Sequence, residues 1–190
     1  KEKGDRFEVL MAHAFRTDRT FKQQFSKVWL WNDWPGHTTG DLGVDIVAET
    51  PDGELVAIQC KCWDASATIP KEEIDSFISE SSKAQWSRRI IVATTDKWSS
   101  NAEKALTGHT VPIERMGVDH LDAMTIDWSS YDVANPQGLT ATAKHVLRPH
   151  QVKALDAVAG GFEEHDRGKL IMACGTGKTF TALRIAEQQA

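Results

Sequence analysis

The chain has 190 residues, 41% of them hydrophobic and 26% charged, with a net charge of −5. That is an ordinary globular composition, long enough for one well-cored domain plus part of another. It excludes a membrane span, because no apolar run approaches ~20 residues. It also excludes a protein that holds nucleic acid by bulk basic charge. Residues 1–126 carry 15 Lys and Arg against 20 Asp and Glu, and residues 127–190 carry 7 against 7. Any DNA contact must therefore come from local basic groups, a metal, or further parts of the protein. The three cysteines, Cys60, Cys62 and Cys174, lack the number and the CxxC spacing of a disulfide framework or a zinc site, which suits a reducing cytoplasm. Cys60 and Cys62 share one side of a strand and read as small buried side chains rather than a chelate. The chain opens on Lys1-Glu2-Lys3 with no initiator Met and no signal peptide, as expected of a segment of a longer protein.

In chain order, apolar positions Phe7, Leu10, Met11, Ala14 and Phe15 recur at near-helical spacing and predict a helix over 2–16. Residues 27–31 read as a strand, followed by a turn over 31–36. Residues 44–49 and 54–61 are β-rich runs joined by Thr50-Pro51-Asp52-Gly53, a hairpin signal. The spacing predicts a helix over 70–82, entered by Pro70. A buried strand follows over 89–94, then a helix over 99–106 capped by Ser99 or Ser100. Residues 110–114 read as a strand and 118–124 as a short helix. Interleaved strands and helices imply an α/β sheet with helices on both faces. Residues 125–145 contain Asn-Pro, Gln-Gly and several Ser and Thr with no sustained period, and read as a linker. Residues 147–162 are helical, 169–173 read as a strand, and 177–189 as a helix.

The hairpin carries the first chemical signal. Alternate side chains of a strand share a face, so Gln59 and Lys61 point together and Cys60 points away. The Pro-Asp-Gly turn folds Asp45 back toward them. One carboxylate, one amide oxygen and nearby backbone carbonyls, such as that of Cys60, make a hard oxygen-lined site suited to Mg²⁺. A cation there polarises a phosphate and acidifies a water, and Lys61 offsets developing negative charge. A hairpin with one Asp and one Lys is commonplace on spacing alone. Asp33 and Asp41 are nearby acids that read either as plain loop residues or as substitutes for Asp45. Trp29, Trp31 and Trp34 suit a core or an interface, with stacking on splayed bases as the other reading.

Gly40-Asp41-Leu42-Gly43-Val44-Asp45-Ile46-Val47 followed by Ala57-Ile58-Gln59-Cys60-Lys61 resembles the Mrr-like branch of the PD-(D/E)xK nuclease superfamily. The resemblance extends to the first helix, Gly4-Asp5-Arg6-Phe7-Glu8, whose acid Glu8 often joins the metal site in that family. It continues through Glu73–Ile78, 90–95 and 99–106, and so covers about residues 3–124. It implies a restriction-endonuclease-like mixed sheet flanked by helices. The second acidic position holds Gln59, which weakens metal binding, favours one metal over two, and leaves Glu8 to compensate.

Met172-Ala173-Cys174-Gly175-Thr176-Gly177-Lys178-Thr179 is the second signal. The glycines let backbone N–H groups wrap phosphates at a helix N-terminus. Lys178 would reach the β and γ phosphates and Thr179 would bind Mg²⁺. Met172 stands where the first glycine of the motif is expected. Leu147-Arg148-Pro149-His150-Gln151 resembles the adenine-recognising Q motif of superfamily 2 helicases, with Arg148 and Gln151 as nucleotide contacts, and the glycine loop is similar to their motif I. The chain stops before any Walker B acid, second motor lobe or arginine finger, so weak nucleotide binding without efficient hydrolysis is expected.

The expected organisation is a nuclease domain over 1–126, a linker over 127–145 and the start of a RecA-like ATPase over 146–190. A nuclease followed by such a motor resembles ATP-dependent restriction enzymes, above all the single-polypeptide type ISP enzymes. That resemblance implies Mg²⁺-dependent endonuclease activity coupled to ATP-driven translocation. It further implies double-stranded DNA and ATP as partners, methyltransferase and target-recognition regions on the same full-length chain, and a prokaryotic cytoplasm. The alternatives are a non-cutting DNA-holding module on a helicase and the motor subunit of a type I enzyme.

Overall fold

The computed structural model describes residues 2–37, 43–143 and 146–189. It divides into two units, Lys1–Thr142 and Ala143–Ala190. The first unit opens with α1 (Glu2–Thr17), which turns its apolar stripe of Phe7, Met11, Ala14 and Phe15 inward. A short helix, α2 (Arg19–Gln24), follows at once; Asp18 caps it by accepting from Thr20 N and Phe21 N. Then come β1 (Lys27–Leu30), β2 (Ile46–Glu49), β3 (Leu55–Lys61), α3 (Asp75–Glu80), β4 (Trp86–Ala93), α4 (Ser100–Ala105), β5 (Ile113–Met116) and α5 (Val118–Asp122).

The five strands lie in the order β1-β2-β3-β4-β5. β1, β2 and β3 run antiparallel, whereas β3, β4 and β5 run parallel. The turn before β3 closes with Gly53 at φ +83°, a conformation glycine adopts without penalty. Alternation along β3 separates two cores. Val56, Ile58 and Cys60 pack with Ile90, Val92 and α1, while Ala57 packs with Ile91, Ala93, Phe77 and Ala102 of α3 and α4. Helices thus cover both faces, as a period-2 pattern feeding into parallel strands requires. Ser99 caps α4 by accepting from Ala102 N at 3.2 Å.

Several elements differ from the sequence expectation. The helix expected over 70–82 is broken at Ile74 into a 3₁₀ turn, Lys71–Glu73, and α3. The strand expected over 110–114 lies at 113–116, in register with Arg89–Val92. Residues 127–142, read as linker, belong to the first unit. β6 (Ile126–Asp127) pairs with β7 (Thr140–Ala141), and Ile126 and Leu139 are buried in the core beside α1. Asp18 ties this segment down. One of its carboxylate oxygens accepts from Thr125 N at 2.6 Å and from the Thr125 hydroxyl at 2.8 Å. Arg19 donates to the Thr142 carbonyl.

The second unit holds α6 (Pro149–Glu164) and α7 (Lys178–Gln189). The strand expected over 169–173 does not form. A strand exists through its ladder partners, and none of the described residues of this unit offers one; Ile171 is 90% exposed. Lys144 and His145, expected in the linker, lie outside the described residues, as do Gly40, Asp41 and Leu42 of the nuclease-like motif. Trp31 is buried and Trp34 sits 5.5 Å from both Trp31 and Trp86, so these rings fill core and Trp29 packs beside it.

Candidate active site and phosphate loop

The C-terminal end of β3 and the segment entering β2 build one site. Asp45 is locked into the sheet by its backbone: its carbonyl accepts from Trp31 N at 2.8 Å and its N–H donates to the Ile58 carbonyl at 3.0 Å. Its side chain turns toward β3 and accepts the Cys60 N–H at 2.6 Å. A cavity of about 330 Å³ is lined by Glu8, Gly43, Asp45, Gln59, Cys60 and Lys61, with Glu72, Glu73 and Ser76 opposite. All four nuclease-site residues expected from sequence, Glu8, Asp45, Gln59 and Lys61, therefore face one space. Glu8 and Asp45 also line an adjoining cavity that contains Asp5 and Asp33, which keeps Asp33 near the site; Asp41 lies outside the described residues.

Gly43 shapes this cavity. Its φ of +77° strains any other residue, and a Cβ there would collide with Ser76 Oγ and the Phe77 backbone nitrogen. The glycine lets the strand entry approach α3.

The electrostatics are acidic around one lysine. Lys61 Nζ lies 3.3 Å from Glu73 Oε2, and its side chain is only 16% exposed. The Cys60 thiol is held well above its ordinary pKa by burial first, then by the charges of Asp45 and Glu8, with Lys61 opposing. Gln59 is buried, and its Oε1 has no hydrogen-bond partner. An orphaned buried acceptor costs about 1–3 kcal/mol. A hard cation is one group that would engage it.

Among the described residues no three His, Cys, Asp or Glu side chains form a metal-ligand group. The fit to a metal rests on a mixed set: the Asp45 and Glu8 carboxylates, Gln59 Oε1 and the Cys60 carbonyl. Sequence reasoning missed Glu72, Glu73 and Ser76. The first turn after Pro70, with two adjacent acids, was the available signal, but nothing local says that this turn faces β3.

In the second unit, Gly175 and Gly177 adopt φ of +75° and +82°. The buried Gln151 donates from Nε2 to the Thr176 carbonyl at 3.3 Å, and its Oε1 accepts from Arg148 N at 2.9 Å. His150 Nε2 donates to the same Thr176 carbonyl at 3.0 Å. A Cβ on Gly177 would stand 2.7 Å from Gln151 Nε2, so this glycine also permits close approach. Lys178 Nζ turns back onto the Met172 and Ala173 carbonyls at 3.5 and 3.4 Å. Thr179 lies in the first turn of α7. The Q-motif-like residues and the glycine loop, distant in sequence, are thus one hydrogen-bonded assembly.

A restriction endonuclease family model matches residues 16–138, and a model of the res subunit of type III restriction enzymes matches residues 144–190. Among solved structures, the ATP-dependent type ISP restriction-modification enzyme LlaBIII, bound to DNA, is 37% identical with a TM-score of 0.79; the similarity covers 96% of this chain and 12% of that one. A protein described as an ATP-dependent RNA helicase, from Acanthamoeba polyphaga mimivirus, is 41% identical over 70 residues, which is 37% of this chain and 13% of that protein. The chain spans about an eighth of the length of these relatives.

Proposed function

The chain belongs to the restriction endonuclease family, in its Mrr-like form, followed by the start of a helicase-like domain as in type ISP enzymes, and on that premise we propose that its first unit hydrolyses phosphodiester bonds of double-stranded DNA. The observation that carries this reading is the convergence of Glu8, Asp45, Gln59 and Lys61 on one cavity, with Gln59 Oε1 lacking a partner.

Hydrolysis adds water across one P–O bond. The water gives up a proton, the phosphorus gains an oxygen, and the departing oxygen takes a proton. Asp45 is fixed by two backbone hydrogen bonds and the Cys60 N–H, so its carboxylate is placed before DNA arrives. Lys61 presents a positive charge to the phosphate oxygens as they gain negative charge, and Glu73 orients that ammonium. Glu8 and Asp45, with Gln59 Oε1 and the Cys60 carbonyl, would hold Mg²⁺. When bound, Mg²⁺ supplies Lewis-acid polarisation of the phosphate and an acidified water.

The second unit is proposed to bind ATP through Arg148, Gln151, Gly175, Thr176, Gly177, Lys178 and Thr179. In the full-length protein, within a prokaryotic cytoplasm, that motor couples ATP hydrolysis to translocation along DNA. Methyltransferase and target-recognition regions belong elsewhere on the same polypeptide.

The test is strand cleavage by the full-length protein with DNA, ATP and Mg²⁺. Asp45→Ala and Lys61→Ala are each expected to abolish cleavage while DNA-stimulated ATP hydrolysis continues. Wild-type cutting by either variant overturns the assignment. Gln59, a neutral residue where the superfamily pattern carries an acid, favours a second reading: a DNA-holding module that never cuts. Metal-dependent strand breaks by the wild-type protein exclude it.

A further inference from the structure

The sheet has a second polar cavity at the end opposite the active site. Gln59 and Lys61 pair with Ile91 and Ala93, whereas the start of β3, Leu55, pairs with Trp86. The six residue-to-residue steps from Leu55 to Lys61 put about 20 Å between the two ends. At the Trp86 end lies a cavity of about 410 Å³. Its polar lining is Ser81, Ser82, Lys83, Arg89, His109 and Thr110, and among the described residues no Asp or Glu lines it. For a chain with 27 acids against 22 Lys and Arg, that is a local reversal of charge.

Arg89 is the unusual member. It is 2% exposed and stands among the largest fully buried side chains. Its guanidinium donates to Ser81 Oγ at 2.9 Å, to the Val111 carbonyl at 3.1 Å and to the Ile78 carbonyl at 3.2 Å. All three partners are neutral. Burial pulls the Arg89 pKa down, with no carboxylate to oppose it, yet a guanidinium keeps its charge in proteins. Buried charges are ordinarily paired with an opposite charge. Arg88, one residue earlier, shows the usual solution: it forms a two-pronged ion pair with Glu114 at 2.6 and 2.7 Å. Arg89 has five N–H donors and uses three in the contacts above.

The rim supports the same chemistry. His109 Nε2 donates to the Ala105 carbonyl at 2.7 Å, which fixes the ring; Nδ1 then donates to an anion only in the imidazolium form. Ser82 and Thr110 are exposed hydroxyl residues. The Lys83 ammonium contacts Glu80 Oε2 at 2.5 Å, so it contributes as half of an ion pair. Trp86, whose indole Nε1 is buried without an acceptor, lines the same cavity.

We infer that this cavity is a second oxyanion site that binds a phosphate group, with Arg89 at its base, positioned by Ser81, whose own proton goes to the Phe77 carbonyl, and His109, Lys83 and Thr110 at its rim. A phosphate supplies the missing countercharge and accepts from several donors at once. The phosphate belongs either to a DNA backbone or to a small phosphate compound, and one experiment separates them.

The Arg89 Nε–H and His109 ring resonances of the 190-residue chain report on this cavity alone, so phosphate held elsewhere does not register. Inorganic phosphate is titrated at constant ionic strength, and separately a short duplex without terminal phosphates. A saturable shift of both signals with inorganic phosphate only assigns a small phosphate compound. A saturable shift with the duplex assigns the DNA backbone. Chloride is expected to leave both unmoved. Arg89→Ala removes buried hydrogen bonds and risks unfolding, so the working variant is Lys83→Ala with His109→Ala, followed through Arg89 Nε–H. Lys83 pairs with the buried Glu80, so the variant is expected to melt somewhat below wild type while staying folded, and to bind phosphate about tenfold more weakly. No shift with either titrant, or unchanged affinity in the double variant, overturns the proposal.

Discussion

In the first unit the candidate site side chains stand at the ends of strands whose neighbours are wholly buried. In the second they stand on a glycine loop between two helices with apolar residues in the open. Val47, Ala57, Ile58 and Ile91 are 0% exposed, whereas Ile171 is 90% and Leu183 56% exposed. Both units gather residues far apart in sequence, but by different means. Asp45 is placed by sheet hydrogen bonds and by the Cys60 N–H. Gln151 reaches the glycine loop through two side-chain bonds of 3.3 and 3.5 Å. Interlocked packing defines one arrangement over many contacts, while a few exposed-loop hydrogen bonds contribute about 1 kcal/mol each. The first site is therefore set before any ligand binds; the second is held by individual hydrogen bonds from Gln151, His150, Thr176, Lys178 and Thr181.

Substitution by truncation tests that contrast most directly. Phe15 is fully buried and meets Phe21 and Phe25 edge-on at 4.8 and 5.9 Å. Phe15→Ala is expected to cost about 3–5 kcal/mol, read as a lowered urea midpoint for the first unit. A loss under about 1 kcal/mol would mean the core is looser than its burial implies.

Asp18 tests the polar anchor of the same unit. Burial raises its pKa, but hydrogen bonds from Phe21, Thr125 and Thr20 outweigh this and hold the carboxyl below its usual range. A folded pKa below the unfolded one gives stability that is present above the ordinary carboxylate range and lost as pH falls through the lowered value. Asp18→Asn is expected to cost about 1–3 kcal/mol at neutral pH. The gap from wild type should shrink below about pH 4. A gap that stays constant with pH would show that the charge of Asp18 plays no part.

The smallest effect belongs to the second unit. Ile171→Ser is expected to change stability by less than about 0.5 kcal/mol, measured by thermal melting of the 190-residue chain. A large loss would show that this side chain is packed after all, and would erase the contrast.

Much of the first unit is legible from residue pattern alone. Period-2 alternation separates Gln59 and Lys61 from Cys60, and the Pro-Asp-Gly turn brings Asp45 back to them. Ser99 caps α4 as its spacing suggests. The failures share a cause. Residues 125–142 have no period because their ties are long-range ones, from Asp18 to Thr125 and from Arg19 to Thr142. The helix α2 is too short to show a period and is marked only by its cap. Residues 169–173 are strand-like in composition, but composition cannot supply a ladder partner.

By itself the sequence determined the chemistry available: an acid, a glutamine and a lysine on one hairpin, and a glycine loop ahead of a helix. These are local matters of turn geometry and side-chain alternation. Tertiary structure decided which other groups share the space. It brought Glu8 from α1 into the cavity of Asp45 and Lys61 and Glu73 from the turn before α3 onto Lys61, and it buried Arg89 without a carboxylate. Such encounters depend on how helices pack across a sheet, and no spacing within one element encodes them.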